Sequence, residues 1–220
     1  MRARPRLWPA ALPLVLVLAL AGAAAPARVV TPLEQFLDGL DTWRGDFTQS
    51  VVDAKGREVD AGAGELIVQR PGRFRWDYRS RDAGAGAGQL LVADGRNLWF
   101  LDRDLDQVTV KPLERSLSAT PMLLLSASLD ELHAAFEQER GARREGLEWV
   151  TVVPRAQDAE FSRAEVAFDG TRLARMVVAD RLGQTVTLKF GHGERNARVA
   201  AQELQFQPPA GADVIGTPVR

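Results

Sequence analysis

The stretch GELIVQRPGRFRWDY, residues 64–78, reads as two strands folded back on one another. Leu66, Ile67 and Val68 end at Arg70-Pro71-Gly72, and Phe74, Trp76 and Tyr78 then recur at every second position. Period-two alternation gives a strand one apolar and one wet face. Pro-Gly between two such runs predicts a hairpin turn. A three-residue turn would set Arg70 opposite Phe74, Val68 opposite Trp76 and Leu66 opposite Tyr78, with every apolar side chain on one side. Arg70 then stands at the rim of a large apolar face. A guanidinium there needs acceptors or solvent.

The same alternation runs outward from this hairpin. DFTQSVVD precedes it, followed by a turn-like AKGREVDAGAG. QLLVADGRNLWFLDRDLDQVTVKP holds three short strands, with Asp94-Gly95 as a tight turn. LEWVTVVP, EFSRAEVAFDG, RLARMVVADRLGQTVTLKF and ARVAAQELQFQPP continue the pattern, for about eleven strands. Helical spacing occurs in TPLEQFLDGL, where Thr31 caps and Leu33, Phe36, Leu37 and Leu40 share a face. It recurs in the apolar turn Met122–Leu125 after Pro121 and around Asp130, Leu132, His133 and Phe136. The fold class is mainly β (α+β), an antiparallel sheet with short helices segregated to one face. So long a sheet curls, and apolar helices over its concave side make a cup with a lid. An ordinary packed core without a cavity is the other arrangement this pattern allows.

Residues 1–27 have the form of a secretory signal. Arg2, Arg4 and Arg6 precede an apolar stretch, Leu12–Leu20, and Ala25 and Ala27 fit a small-x-small cleavage site. The mature unit is then a single domain, residues 28–220. The segment carries three arginines and no acid, so its removal takes the net charge from −1 to −4. That is no basic footprint for nucleic acid or anionic headgroups. Without cysteine there is neither a disulfide nor a lipidated N-terminal cysteine. The expectation is a soluble exported protein, in a bacterium a periplasmic one.

Signals for catalysis are weak. His133 and His192 stand in no metal-ligand spacing, no serine occupies a GxSxG elbow, and no glycine-rich phosphate cradle follows a strand. Neither a metal, a cofactor nor an enzyme activity is expected.

Taken in order, FTQ, RPxxFxW, DGxxLW, TP before an apolar turn and the closing LQFQPPAGADV resemble the LolA family of periplasmic outer-membrane lipoprotein carriers, over residues 33–214. RSRDAGAGAG departs from the short proline-containing link usual there, and any longer C-terminal extension is absent or reduced. The resemblance implies an incomplete antiparallel β-barrel of about eleven strands with a lid of short α-helices over an apolar cavity. The cavity takes lipoprotein acyl chains, with Phe36, Leu37, Phe47, Val68, Phe74, Trp76, Met122, Leu123 and Leu125 as contacts. It further implies that Arg70 latches the lid, bonding carbonyls near Leu37 and Leu125–Ser126. Cargo would come from an ABC-type release complex of the inner membrane and pass to the outer-membrane receptor LolB, the carrier acting as a monomer. Two alternatives stand beside this: a periplasmic domain that senses lipid or lipoprotein, and a periplasmic hydrolase. For Arg70 the alternative is a strand-end arginine with its head in water. For Phe74 and Trp76 it is ordinary core packing.

Overall fold

The structure is a computed structural model and describes residues 30–82, 87–116 and 120–219. The proposed signal segment and part of the Gly/Ala run at 83–88 lie outside those residues.

One twelve-stranded sheet organises the chain. In chain order, helix α1 (Pro32–Leu37) leads into β1 (Thr42–Val52), β2 (Glu58–Gln69), β3 (Arg73–Ser80), β4 (Gln89–Asp94), β5 (Asn97–Asp102) and β6 (Gln107–Pro112). Two short helices, α2 (Leu123–Ser126) and α3 (Leu129–Ala135), follow, and then β7 (Phe136–Arg140), β8 (Glu148–Pro154), β9 (Phe161–Asp169), β10 (Arg172–Asp180) and β11 (Thr185–Arg195). Strand β12 (Asp213–Ile215) completes the sheet. Its spatial order is 12-6-5-4-3-2-1-11-10-9-8-7, antiparallel except for β12 beside β6, and it does not close.

Local sequence accounts for the helix starts. Thr31 and Ser128 each form a capping box, with Glu34 and Glu131 three residues on, and Pro32 occupies the first helical turn. The helices cover one face of the sheet. Leu33, Phe36 and Leu37 of α1, Leu123–Leu125 of α2 and Leu132 of α3 pack with the inward side chains of the strands in one apolar cluster.

Four expectations need correction. The first is the hairpin register. Val68 lies opposite Phe74, Leu66 opposite Trp76 and Gly64 opposite Tyr78, two residues from the predicted pairing. The connecting loop does hold three residues, but they are Arg70–Gly72. A two-residue shift preserves parity, so the inward-facing set is unchanged. The second concerns AKGREVDAGAG, of which only the first residues turn; β2 already begins at Glu58. Its glycines serve the neighbouring rings. A Cβ on Gly62 would lie 2.7 Å from the Tyr78 ring, and one on Gly64 would lie 2.6 Å from the Phe47 ring. Phe47, Trp76 and Tyr78 stack over this bare strand with centroids 5.5 and 5.3 Å apart.

The third correction is ARVAAQELQFQPP, which forms no strand. It makes a 3₁₀ turn at Ala201–Leu204 and then crosses the opposite face of the sheet. There Phe206 and Ala212 cover Leu90, Val92, Trp99, Leu101, Val108 and Val110, with Phe206 and Trp99 5.3 Å apart. Strands β4 and β5 are apolar on both faces, and this segment buries the second together with Val108 and Val110 of β6. The fourth is Phe136, which ends α3 and begins β7 rather than continuing a helix.

Gly64→Ala should force both the Asp77 carbonyl and the Phe47 ring to move, since the new Cβ would lie 2.1 and 2.6 Å from them. Overpacking of this kind costs about 1–3 kcal/mol, a fall in Tm of roughly 2–12 °C. Gly191→Ala, whose Cβ meets nothing closer than 3.6 Å, is the control and should stay within about 0.5 kcal/mol. Thermal melts followed by circular dichroism check both.

Candidate functional site

Helix α1 has six residues, so most of its carbonyls have no partner within the helix. Two arginines supply the missing donors. Arg70 reaches in from the β2–β3 loop. Its Nε and Nη2 donate to Ala127 O at 3.0 and 2.8 Å, and its Nη1 donates to Leu37 O and, at 3.4 Å, to Leu40 O. A single guanidinium therefore joins the tail of α1 to the residue that ends α2. Burial pulls the Arg70 pKa below its ordinary value, and Asp41 and Glu131 pull it back up. The second acceptor is Ala127 rather than the expected Leu125–Ser126. Ser126 O instead accepts from Gly72 N at 2.8 Å, so the hairpin loop holds α2 by its backbone as well.

Arg195, at the end of β11, was not anticipated from sequence. Its Nη1 donates to Phe36 O and its Nη2 to Asp38 O at 3.0 Å, while its Cζ lies 5.2 Å above the Phe36 ring. Asn196 continues the clamp, donating to Gly39 O at 3.0 Å and accepting from Asp41 N at 2.9 Å. At the other end of the lid, His133 Nε2 of α3 lies 2.6 Å from Glu34 Oε1 of α1. Nothing in GHGERNAR marks this arrangement: 159 residues separate Arg195 from Phe36.

Beneath this polar frame lies the apolar cluster. Phe36, Leu37, Phe47, Val68, Phe74, Met122, Leu123 and Leu125 are all buried within it. Phe74 is wholly enclosed. Trp76 borders a cavity of about 240 Å³ between the lid and the sheet. That cavity is lined chiefly by Leu91, Met122, Phe161, Val178 and Leu188, with Gln49, Gln89 and Thr120 as neutral polar groups. It is smaller than the ~300–1,000 Å³ of ordinary ligand pockets, so a long apolar ligand needs the lid to move. A depression of about 640 Å³ on the opposite face is lined by Ala61, Gly62 and Ala63 together with the charged Glu58, Arg79, Arg81 and Lys189, a mixed surface without large apolar side chains.

Near the cavity the Tyr78 hydroxyl donates to Asp60 Oδ2 at 2.8 Å, and Ser80 Oγ donates to Asp60 Oδ1 at 2.8 Å. Burial, reinforced by the Asp60 carboxylate, raises the Tyr78 pKa well above its ordinary value, so the phenol stays a donor. Among the described residues no cluster of three or more His, Asp or Glu could hold a metal. No helix among them is long and apolar enough to cross a membrane.

The family profile described as outer membrane lipoprotein carrier protein LolA matches residues 38–207. This chain belongs to the LolA family. Its relatives include the outer-membrane lipoprotein carrier proteins of Methylibium petroleiphilum, 37% identical across 96% of this chain and 98% of that one, and of Methylobacillus flagellatus, 35% identical across 85% and 88%. A LolA superfamily protein from Nitrosomonas europaea, solved by crystallography, aligns over 82% of this chain and 99% of its own with a TM-score of 0.48 and 9% identity.

Arg195→Gln should leave the carbonyls of Phe36 and Asp38 short of donors while leaving the sheet intact. Bonds to a charged donor are worth about 1.5–3 kcal/mol each, so amide exchange across residues 31–41 should accelerate on the order of tenfold or more. Hydrogen–deuterium exchange by mass spectrometry, with β9 and β10 as unchanged references, makes the measurement.

Proposed function

We propose that this protein is a periplasmic carrier that takes the acyl chains of lipoproteins into its cup and delivers them to the outer membrane. The observation that carries this reading is an apolar concave sheet face closed by helices that are held at their ends by arginine-to-carbonyl bonds. Membership of a family of named lipoprotein carriers supports it. It is a binding function, with no reaction assigned to any residue. The source of cargo is an ABC-type release complex of the inner membrane, and the recipient is the receptor LolB.

The magnitudes suit such a task. Each methylene moved from water is worth about 0.8 kcal/mol, so a long acyl chain in water costs on the order of 10 kcal/mol. An anchored protein therefore needs an apolar container to cross an aqueous compartment. Each large lid side chain buried against the sheet contributes about 1.5–3 kcal/mol. Leu33, Phe36, Leu37, Leu123, Leu124 and Leu125 together stabilise the closed cup on the order of 10 kcal/mol, comparable to one chain of cargo. Loading exchanges one apolar filling for another, so delivery can proceed without ATP.

Arg70 biases that exchange. In this reading its bonds to Leu37, Leu40 and Ala127 hold only while the cup is closed; loading breaks them and release restores them. Arg70→Leu removes the latch and adds apolar surface. A population shifts only by differential stabilisation of its two states, and here the loaded one gains. The variant should still take up lipoprotein from membranes bearing the release complex, but transfer to receptor-bearing membranes should fall about tenfold or more. Cargo retained on purified protein, beside cargo transferred, is the readout. Transfer and retention at wild-type levels would refute the latch.

A second variant tests the container. Leu125→Glu places a carboxylate among the buried lid residues and should weaken uptake by more than its loss of stability explains. The check is lipoprotein bound per folded molecule, with the folded fraction measured by circular dichroism at the same temperature. Uptake that falls only in step with the folded fraction would count against the lid.

A further inference from the structure

Two buried polar side-chain atoms of the cup and its lid are left over by these contacts, Ser126 Oγ in α2 and Trp76 Nε1 in the sheet, and only the second can do nothing but donate. Trp76 is 7% exposed, and its indole Nε1 is buried with no acceptor among the described residues. Two other buried tryptophans make the contrast. Trp99 Nε1 donates to Asp94 Oδ2 at 2.8 Å, and Trp149 Nε1 donates to Arg144 O at 3.2 Å. An indole N–H can only donate, and buried donors without acceptors are rare because they have lost water and gained nothing. Trp76 stacks at 12° against both Phe47 and Tyr78, so its donor belongs to an edge that ring packing does not use. The same side chain lines the cavity beneath Met122.

The cavity wall narrows the choice of acceptor. Its charged residues are Glu160 and Asp180, both acidic. Lys111 lies 3.5 Å from Glu160 and offsets part of that charge, while Asp180 Oδ1 is held by the backbone N–H groups of Leu182 and Gln184. An anionic acceptor is disfavoured beside them, and a neutral carbonyl is not. Gln49 and Gln89 add neutral amides to the same wall. Acyl cargo carries neutral carbonyls where its chains join glycerol, as esters.

Resting on the carrier reading above, we propose that Trp76 Nε1 donates a hydrogen bond to an acyl ester carbonyl of the bound cargo, so that the cup selects the ester linkage as well as the hydrocarbon. This contact runs opposite to the latch. Arg70 loses its partners as cargo enters, and Trp76 gains one.

The test is binding of synthetic diacylglyceryl-cysteine lipopeptide to the purified mature protein. It is compared with the dialkyl ether analogue of equal chain length, which lacks both ester carbonyls. The wild type should bind the diester about five- to tenfold more tightly, the range of one neutral hydrogen bond. Trp76→Phe, and benzothienylalanine at position 76, which keeps the two-ring shape without an N–H, should each lose the diester preference and bind the two ligands equally. The second variant preserves the test if phenylalanine packs poorly. A diester preference that survives in both variants overturns the proposal, as does equal loss of affinity for both ligands. Equal wild-type binding of ester and ether overturns it while leaving the carrier reading intact. Wild-type binding of neither ligand overturns both. Phosphatidylglycerol of the same chain length offers the same esters beside a phosphate and should bind more weakly than the lipopeptide. Binding as tight would overturn the preference for a neutral acceptor beside Glu160 and Asp180.

Discussion

The concave face of the sheet is too apolar to stand in water, and every other feature of the molecule answers that constraint. Twelve strands curl, and Phe47, Leu66, Val68, Phe74, Val166 and Leu188 are among the side chains turned inward. Burying one such side chain is worth about 1.5–3 kcal/mol. Something apolar must fill the cup at all times. In this structure the filling is the protein's own helices, each too short to be stable alone. Their helicity depends on the sheet, and the sheet's solubility depends on them.

Short helices bring a second problem with them, because their terminal carbonyls lack partners. Arg70 answers it from the β2–β3 loop and Arg195 from the end of β11, and Asn196 secures the connection into β1. Such bonds differ from apolar packing in a way that suits a lid. Hydrophobic contact is non-directional and can be made again with an acyl chain, whereas a guanidinium bonded to a carbonyl holds in one geometry. In the latch proposed above, the first kind of contact is exchanged for cargo, and the second distinguishes the closed state from the open one.

The opposite face is treated differently. There β4, β5 and β6 are covered by the chain's own final segment, with Phe206 over Trp99 and Val219 bonded to Asn97 at 2.7 and 3.0 Å. Strand β12 continues that cover as a parallel neighbour of β6. The two apolar faces thus have covers of unlike kind: one tied to the sheet by strand pairing, the other by side chains reaching backbone carbonyls.

Much of this was legible in the order of residues. Alternation in RFRWDY assigns Phe74, Trp76 and Tyr78 to one face wherever the partner strand lies, because a strand's side chains obey parity. Thr31 with Glu34 announces a helix start by contacts made within four residues. Leu33, Phe36, Leu37, Met122, Leu123 and Leu125 had to be buried somewhere, and a curled sheet offered the place. Register was not legible, since a two-residue slip of β2 leaves the same face inward; the fit of the Phe47 and Tyr78 rings over Gly64 and Gly62 distinguishes the two pairings. Nor could the sequence show that β2 extends through AGAG, where weak strand formers are held by neighbours on both sides. The clamp by Arg195 and the unpartnered Nε1 of Trp76 belong wholly to the tertiary structure. Local patterns record what a residue does to its own segment. Which carbonyl a guanidinium meets, or which donor is left without one, depends on segments up to 159 residues apart being brought together by the curl of the sheet.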